Sequence, residues 1–220
     1  MNRIKTWGVV ATAAATLAFT GCDPDKCTIT LPVSAIEKAV GGGVGYAKIR
    51  VYYSTTQDDV KGRFPQIKSI IEKHLGEKAN VQTQSPAEGK GTLTASWKVP
   101  VVGKGRESMM ESAIAGFSLG DTWLSFAAQK GLEKLNADLH KLADATVEGG
   151  FMGDIDLVIK NDTEQEFVFL TCGTFVDEQP YVYKDVKVPA DEEVTVTFKR
   201  KSEDSVYHFK DPAIGIYKKK

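Results

Sequence analysis

The sequence predicts an α+β protein: an N-terminal antiparallel sheet with two amphipathic helices, followed by a small C-terminal β-sandwich. Three observations predict it. Apolar residues recur at helical spacing in two segments, Phe64, Ile67, Ile70, Ile71 and Leu75 in one and Leu132, Leu135, Leu139 and Leu142 in the other. Runs such as "YAKIRVYYS", Tyr46 to Ser54, alternate and are rich in β-formers. After Glu148-Gly149-Gly150 the helical period disappears and strands follow at short spacing. The implied division is an α+β domain at 28–148 and a β-sandwich at 151–217, behind an N-terminus of different character.

That N-terminus, residues 1–21, reads as an export signal. Arg3 and Lys5 give it a basic start, and Thr6 to Phe19 supply a mostly small and apolar run, too short to span a bilayer, which needs about 20 such residues. The run ends in Phe19-Thr20-Gly21-Cys22, which resembles the lipobox of bacterial lipoproteins, cut by signal peptidase II before a cysteine that already carries diacylglycerol. Gly21 fits the family pattern, while Phe19 and Thr20 stand where Leu and a smaller residue are usual. The resemblance implies lipidation of Cys22, with residues 22–27 as tether. Several acyl chains hold a protein on a membrane where one would not, at about 0.8 kcal/mol per buried methylene. An ordinary secretory signal cut near Ala18, or an uncleaved apolar N-terminus, is the alternative. In enterobacterial lipoproteins an Asp after the lipidated cysteine resembles a sorting signal for the inner membrane. Asp23 holds that position, which implies the periplasmic face of the inner membrane rather than the outer membrane in a Gram-negative host.

Within 28–148, "CTITLPV" reads as a strand ending at Pro32, and Ser34 is positioned to cap a short helix stopped by Gly41-Gly42-Gly43. After the Tyr46–Ser54 strand, Thr56 is expected to cap the first amphipathic helix, with Asp58 and Asp59 in its first turn and Gly76 as its stop. Strands at about Asn80 to Gln84 and Gly91 to Val102 flank "SPAEGKG", a hairpin loop, and "DTWLSFAA" adds a strand before the second helix. Within 151–217, Ile155, Leu157 and Ile159 alternate along one strand, Asn161-Asp162 makes a turn, Phe167 to Thr171 resumes a strand, and Val194, Val196 and Phe198 alternate along another. "IDLVIKNDTEQEFVFL" with "KVPADEEVTVTF" resembles the Ig-like modules of bacterial envelope lipoproteins, which implies binding or spacing more than catalysis.

The chain has 220 residues, 42% hydrophobic and 26% charged, with a formal net charge of −1, which becomes −3 once Arg3 and Lys5 leave with the signal. That composition is globular, and no basic field remains to favour nucleic acid. With Cys22 acylated, Cys27 and Cys172 are the remaining cysteines, in a compartment where thiols are usually oxidised. We expect a disulfide between them, two separate thiols being the alternative. A metal site is disfavoured because His74, His140 and His208 are scattered.

Gly116-Phe117-Ser118-Leu119-Gly120 formally resembles the nucleophile elbow of α/β-hydrolases, with His208 following in the appropriate order. An elbow needs a buried strand before it and a helix after it; "ESAIAG" and "DTWLSFAA" supply neither, so the glycines read as loop punctuation. His74 falls on the apolar face of its helix and reads as a packing residue near the helix end. Gly41, Gly42, Gly43 and Gly45 lack the GK[ST] of a phosphate loop, and Asp154 and Asp156 are spaced as in a calcium loop but read as the outer face of a strand. Lys218-Lys219-Lys220 reads as a solvated tail, and Trp97, Trp123, Tyr181 and Tyr183 as packing residues before a ligand groove.

The function these residues imply is that of a membrane-anchored envelope lipoprotein with a non-enzymatic binding, shielding or scaffolding role. No cofactor is expected. The partners are the membrane, through the lipid anchor, and another envelope protein or a phage component. The alternative is a periplasmic binder of lipid or a small apolar ligand, and the remote alternative a serine hydrolase using Ser118.

Overall fold

The computed structural model describes residues 26–84, 90–110, 113–142, 155–198 and 213–216. The first strand, β1 (Lys26–Pro32), buries Cys27, Ile29 and Leu31 and turns the intervening polar residues outward. Helix α1 (Val33–Val40) follows, with Val33, Ala35, Ile36 and Ala39 buried. Its cap differs from expectation. Pro32 holds the N-cap position without a side-chain bond. The carboxylate of Asp162 accepts from the Ser34 N–H at 2.9 Å and from Ser34 Oγ at 2.6 Å. A distant turn therefore satisfies the donors of the first helical turn that a local side chain would usually meet.

Strands β2 (Val44–Thr56) and β4 (Lys90–Val102) pair antiparallel from Val44 opposite Val102 to Thr56 opposite Lys90. Between them run α2 (Gln57–Leu75), which buries Phe64, Ile67, Ile71 and Leu75 as the spacing predicts, and β3 (Asn80–Gln84), which pairs with β4. Thr56, the last residue of β2, directly precedes the first residue of α2, the position expected of its cap, and residues 85–89 of the expected hairpin loop lie outside the described residues. Strands β5 (Ala115–Leu119) and β6 (Trp123–Ala128) form a hairpin, and α3 (Lys130–Leu142) buries Leu132, Leu135 and Leu139 while packing on α2.

From residue 155 onward the strands do not form the expected Ig-like β-sandwich. Instead β7 (Ile155–Lys160) pairs parallel with β1, setting Ile155, Leu157 and Ile159 beside Cys27, Ile29 and Leu31. Strand β8 (Phe167–Val176) pairs with β9 (Gln179–Val188), and β10 (Glu193–Phe198) pairs with β7. Strand β11 (Ala213–Ile216) joins β6 to β8. One edge of β8 carries β9; the other takes β11 at Phe169 and Leu170 and β10 at Phe175 and Val176. The ring β10, β7, β1, β2, β4, β5, β6, β11, β8 is thus a closed barrel of nine strands, from which β3 and β9 branch. The predicted α+β sheet followed by a sandwich is corrected to this barrel. The physical reason is edge satisfaction: β1 has two edges, β2 occupies one, and a sandwich built elsewhere would leave the other open.

Inward residues of the barrel and the buried faces of all three helices form one continuous core, in which Phe117 and Phe126 meet edge to face at 5.2 Å. Helix α1 seats on β2 where Gly45 leaves room, since a side chain there would begin 2.3 Å from the Ala35 carbonyl oxygen. Asn161 is fully buried beneath the turn that holds Asp162. Its Nδ2 donates to the carbonyls of Gln165 and Val188, each at 2.8 Å, and its Oδ1 accepts from Thr163 N–H at 3.1 Å and Oγ1 at 2.8 Å.

The outward positions of these strands include Lys48, Arg50, Lys98 and Lys160. Polar outside and apolar inside is the reverse of a membrane-spanning barrel, whose lipid-facing band is apolar. Among the described residues no helix is long and apolar enough to cross a membrane.

Candidate functional site

The candidate site lies on the outer wall of β2 and β4. Because Ala47 and Ile49 point into the core, their neighbours Tyr46 and Lys48 must point out, and the register sets Tyr46 opposite Pro100 and Lys48 opposite Lys98. Along its other edge β4 carries β3 as far as Ser96, opposite Asn80, and takes up β5 only at Val101, opposite Phe117. From residue 97 to 100 no described strand pairs with that edge. Pro100 helps keep the split open, since it lacks the N–H that a ladder would use.

Over this split the chain forms a cleft of about 670 Å³. His74, Leu75 and Lys78, from the end of α2 and the 3-10 turn after it, make one wall; Met109, Ala113 and Ile114 make the other; Trp97 and Val99 contribute to the floor. Tyr46 and Met109 are 55% and 48% exposed, so large apolar groups stand open to solvent at the mouth. The polar element is cationic. Lys48, Lys78 and Lys98 line the cleft, and among the described residues no lining residue is acidic and none of the three lysines has an ion-pair partner.

The wall behind His74 is fixed by charge. Its Nε2 lies 2.9 Å from Asp138 Oδ2 on α3, and the same carboxylate takes Lys73 Nζ at 2.9 Å and Lys141 Nζ at 2.8 Å. Bonds from Lys141, Lys73 and His74, in that order, hold the Asp138 carboxyl well below the usual carboxylate range. His74 was expected to be a packing residue; it is a partly buried link between two helices that also borders the cleft.

A second groove of about 780 Å³ runs over the outer face of β1, β7, β10 and β8. Several of its polar groups already have partners: Lys26 pairs with Asp156 at 3.1 Å, Asp156 accepts from Thr197 Oγ1 at 2.7 Å, and Asp177 accepts from the Thr195 N–H at 3.4 Å. It offers a ligand less than the first cleft does.

The other predicted residues are dispersed. Cys22 and Asp23 lie outside the described residues, as do Asp154, His208 and Lys218-Lys219-Lys220. The expected disulfide is not formed: Cys27 and Cys172 are both free thiols. Cys27 is 1% exposed within the core, and β7 and β10 lie between its strand and β8, which bears Cys172 opposite the exposed Tyr183. Three strand spacings of about 4.8 Å exceed the roughly 7 Å that a disulfide tolerates between Cα atoms. Burial, with the Asp156 charge second, pushes the Cys27 thiol up to about 12, and burial also raises that of Cys172.

Ser118 sits within strand β5 opposite Ser125, in a hairpin and not on a strand-to-helix turn. Gly116, expected as loop punctuation, is in the same strand because Pro100 O and Met110 Sδ press within 3.0 and 2.8 Å of where a side chain would begin. Trp97 lines the cleft, whereas Trp123 is in β6 and Tyr181 and Tyr183 are in β9. The lysine pair was missed because each lysine alone is an ordinary outward residue; the detectable signal was the coincidence of "KIRVYY" and "SWKVP" as neighbouring strands.

No known family model matches the chain, and no curated protein and no solved structure matches it.

Proposed function

We propose that this protein is a bacterial envelope lipoprotein, tethered to the membrane through Cys22, that acts by binding in the cleft beside the end of α2. The observation that carries the binding half is the cleft itself, where exposed apolar side chains meet three lysines without an ion-pair partner among the described residues. Its size is within the roughly 300–1,000 Å³ of small-molecule sites. The tethering half rests on Phe19-Thr20-Gly21-Cys22, and Asp23 favours the periplasmic face of the inner membrane. Cys22→Ala should abolish metabolic acyl labelling and release the protein from membranes; retention of labelled lipid by the variant would overturn the anchor.

Two kinds of occupant are compatible with a tethered binder. One is another envelope protein or a phage component. The second, a lipid or small apolar ligand, is favoured by the enclosure of the cleft between two walls. Mass spectrometry of the protein gently extracted from membranes separates them, since a bound lipid adds a few hundred daltons and a protein partner adds kilodaltons.

A further inference from the structure

We infer that the cleft binds a single-chain amphiphile with a phosphate-monoester head, the phosphate sitting between Lys48 and Lys98 and the chain lying along the apolar walls. This rests on the reading of the protein as a lipid-type binder and specifies its ligand. Lys48 and Lys98 are directly opposed on adjacent antiparallel strands. Such pairs have Cβ atoms about 5 Å apart, and like charges so placed destabilise a sheet. A carboxylate neighbour would relieve the repulsion, and none pairs with either lysine among the described residues. The chain has acidic residues in abundance, 29 Asp and Glu against 28 Lys and Arg, yet none of the described residues that line this cleft is acidic. A third cation, Lys78, borders the same space.

The charge count selects the head group. A carboxylate brings one negative charge, too little to offset two facing ammonium groups. A phosphate monoester brings about −1.5 to −2 near pH 7 and three strong acceptor oxygens. The walls select the rest of the ligand. Met109 and the Tyr46 ring at the mouth offer exposed apolar surface to a chain, with the largely buried Leu75 and Ile114 behind them. A bare phosphate or glycerol phosphate would leave that surface wet. A cleft of about 670 Å³ suits one chain and not a bulky partner.

The test is native mass spectrometry of the full chain extracted from membranes, titrated in parallel with oleoyl-lysophosphatidate, oleate and glycerol 3-phosphate. Lysophosphatidate should bind at least tenfold more tightly than either control, and the Lys48→Gln/Lys98→Gln double variant should lose that advantage. Lys26→Gln, outside the cleft, should bind as the wild type does. Equal binding of oleate, equal binding of glycerol 3-phosphate, or undiminished binding by the double variant would each overturn the inference. Thermal melting of the double variant without ligand guards against misfolding: it should melt at or above the wild-type temperature, and a lower one would refute the unrelieved repulsion. The same spectra report acyl mass on Cys22, so an acylated chain that binds none of the probes sinks only the ligand assignment, whereas an unacylated chain that binds lysophosphatidate sinks only the tether.

Discussion

Asp138 Oδ2 lies 2.9 Å from His74 Nε2, a contact that joins the last turn of α2 to the middle of α3 and backs one wall of the cleft. The carboxylate titrates below its usual range because Lys141, Lys73 and His74 bond to the charged form. An unfolded Asp titrates near about 3.9, so this stabilisation is fully present above that pH and fades as the pH falls toward the folded value. Asp138→Asn should therefore lower the melting temperature at neutral pH, with the difference from wild type shrinking as the pH drops below about 4. Melting curves across that range check it; a constant difference would assign the effect to packing.

The two thiols should react unequally. Cys27 is buried and its thiol stands at about 12, whereas Cys172 is partly exposed. Iodoacetamide followed by peptide mass spectrometry should find Cys172 alkylated in the folded protein and Cys27 only after denaturation. The raised Cys27 value also means that its contribution to stability is present below the ordinary value of 9.0 and is lost as pH rises toward about 12. A Cys27–Cys172 disulfide in protein isolated from cells would require β1 and β8 to come together by displacing β7 and β10.

Removing the remote cap should loosen α1. Asp162→Ala deletes both bonds to Ser34, and a lost cap costs about 1 kcal/mol, which in a protein of this size lowers Tm by about 2–4 °C. Differential scanning calorimetry reads the shift. Asp162→Asn, which keeps an acceptor, should recover most of it.

A larger loss is expected at Asn161. Alanine there would strand the buried carbonyl of Val188 and remove the side-chain acceptor of the Thr163 N–H, at about 3 kcal/mol in total. Aspartate should not rescue it, because Nδ2 donates to two carbonyls and a carboxylate oxygen would confront both. Urea unfolding of the three proteins distinguishes loss of the donor from loss of volume.

The sequence made the local elements legible and their assembly opaque. Helix α2 was readable because Phe64, Ile67, Ile71 and Leu75 repeat at helical spacing before Gly76, and β7 because Ile155, Leu157 and Ile159 alternate. Nothing in either segment states that β7 pairs with β1, since alternation specifies a face and not a neighbour. The barrel was therefore mistaken for a sheet and a sandwich. Asp162 looked like a turn residue, and its bond to Ser34 exists only once α1 and that turn are brought together. The cleft was hidden for the same reason, because Lys48 and Lys98 become a pair only through register.

The route by which β1 is satisfied sets the order of events when the chain folds. Its contact with β2 can form early, but Cys27 cannot meet Ile155 until most of the protein has been synthesised, and among the described strands only Ala213–Ile216 links β6 to β8. Such distant pairings fold slowly, because the entropy of closing long loops is lost before any contact compensates it. A nascent chain stopped short of its last described strand would keep an unzipped seam, with core side chains such as Phe169 and Phe126 left partly wet. The barrel can therefore close only once its last described strand has left the ribosome, with segments far apart in the sequence meeting across its seams.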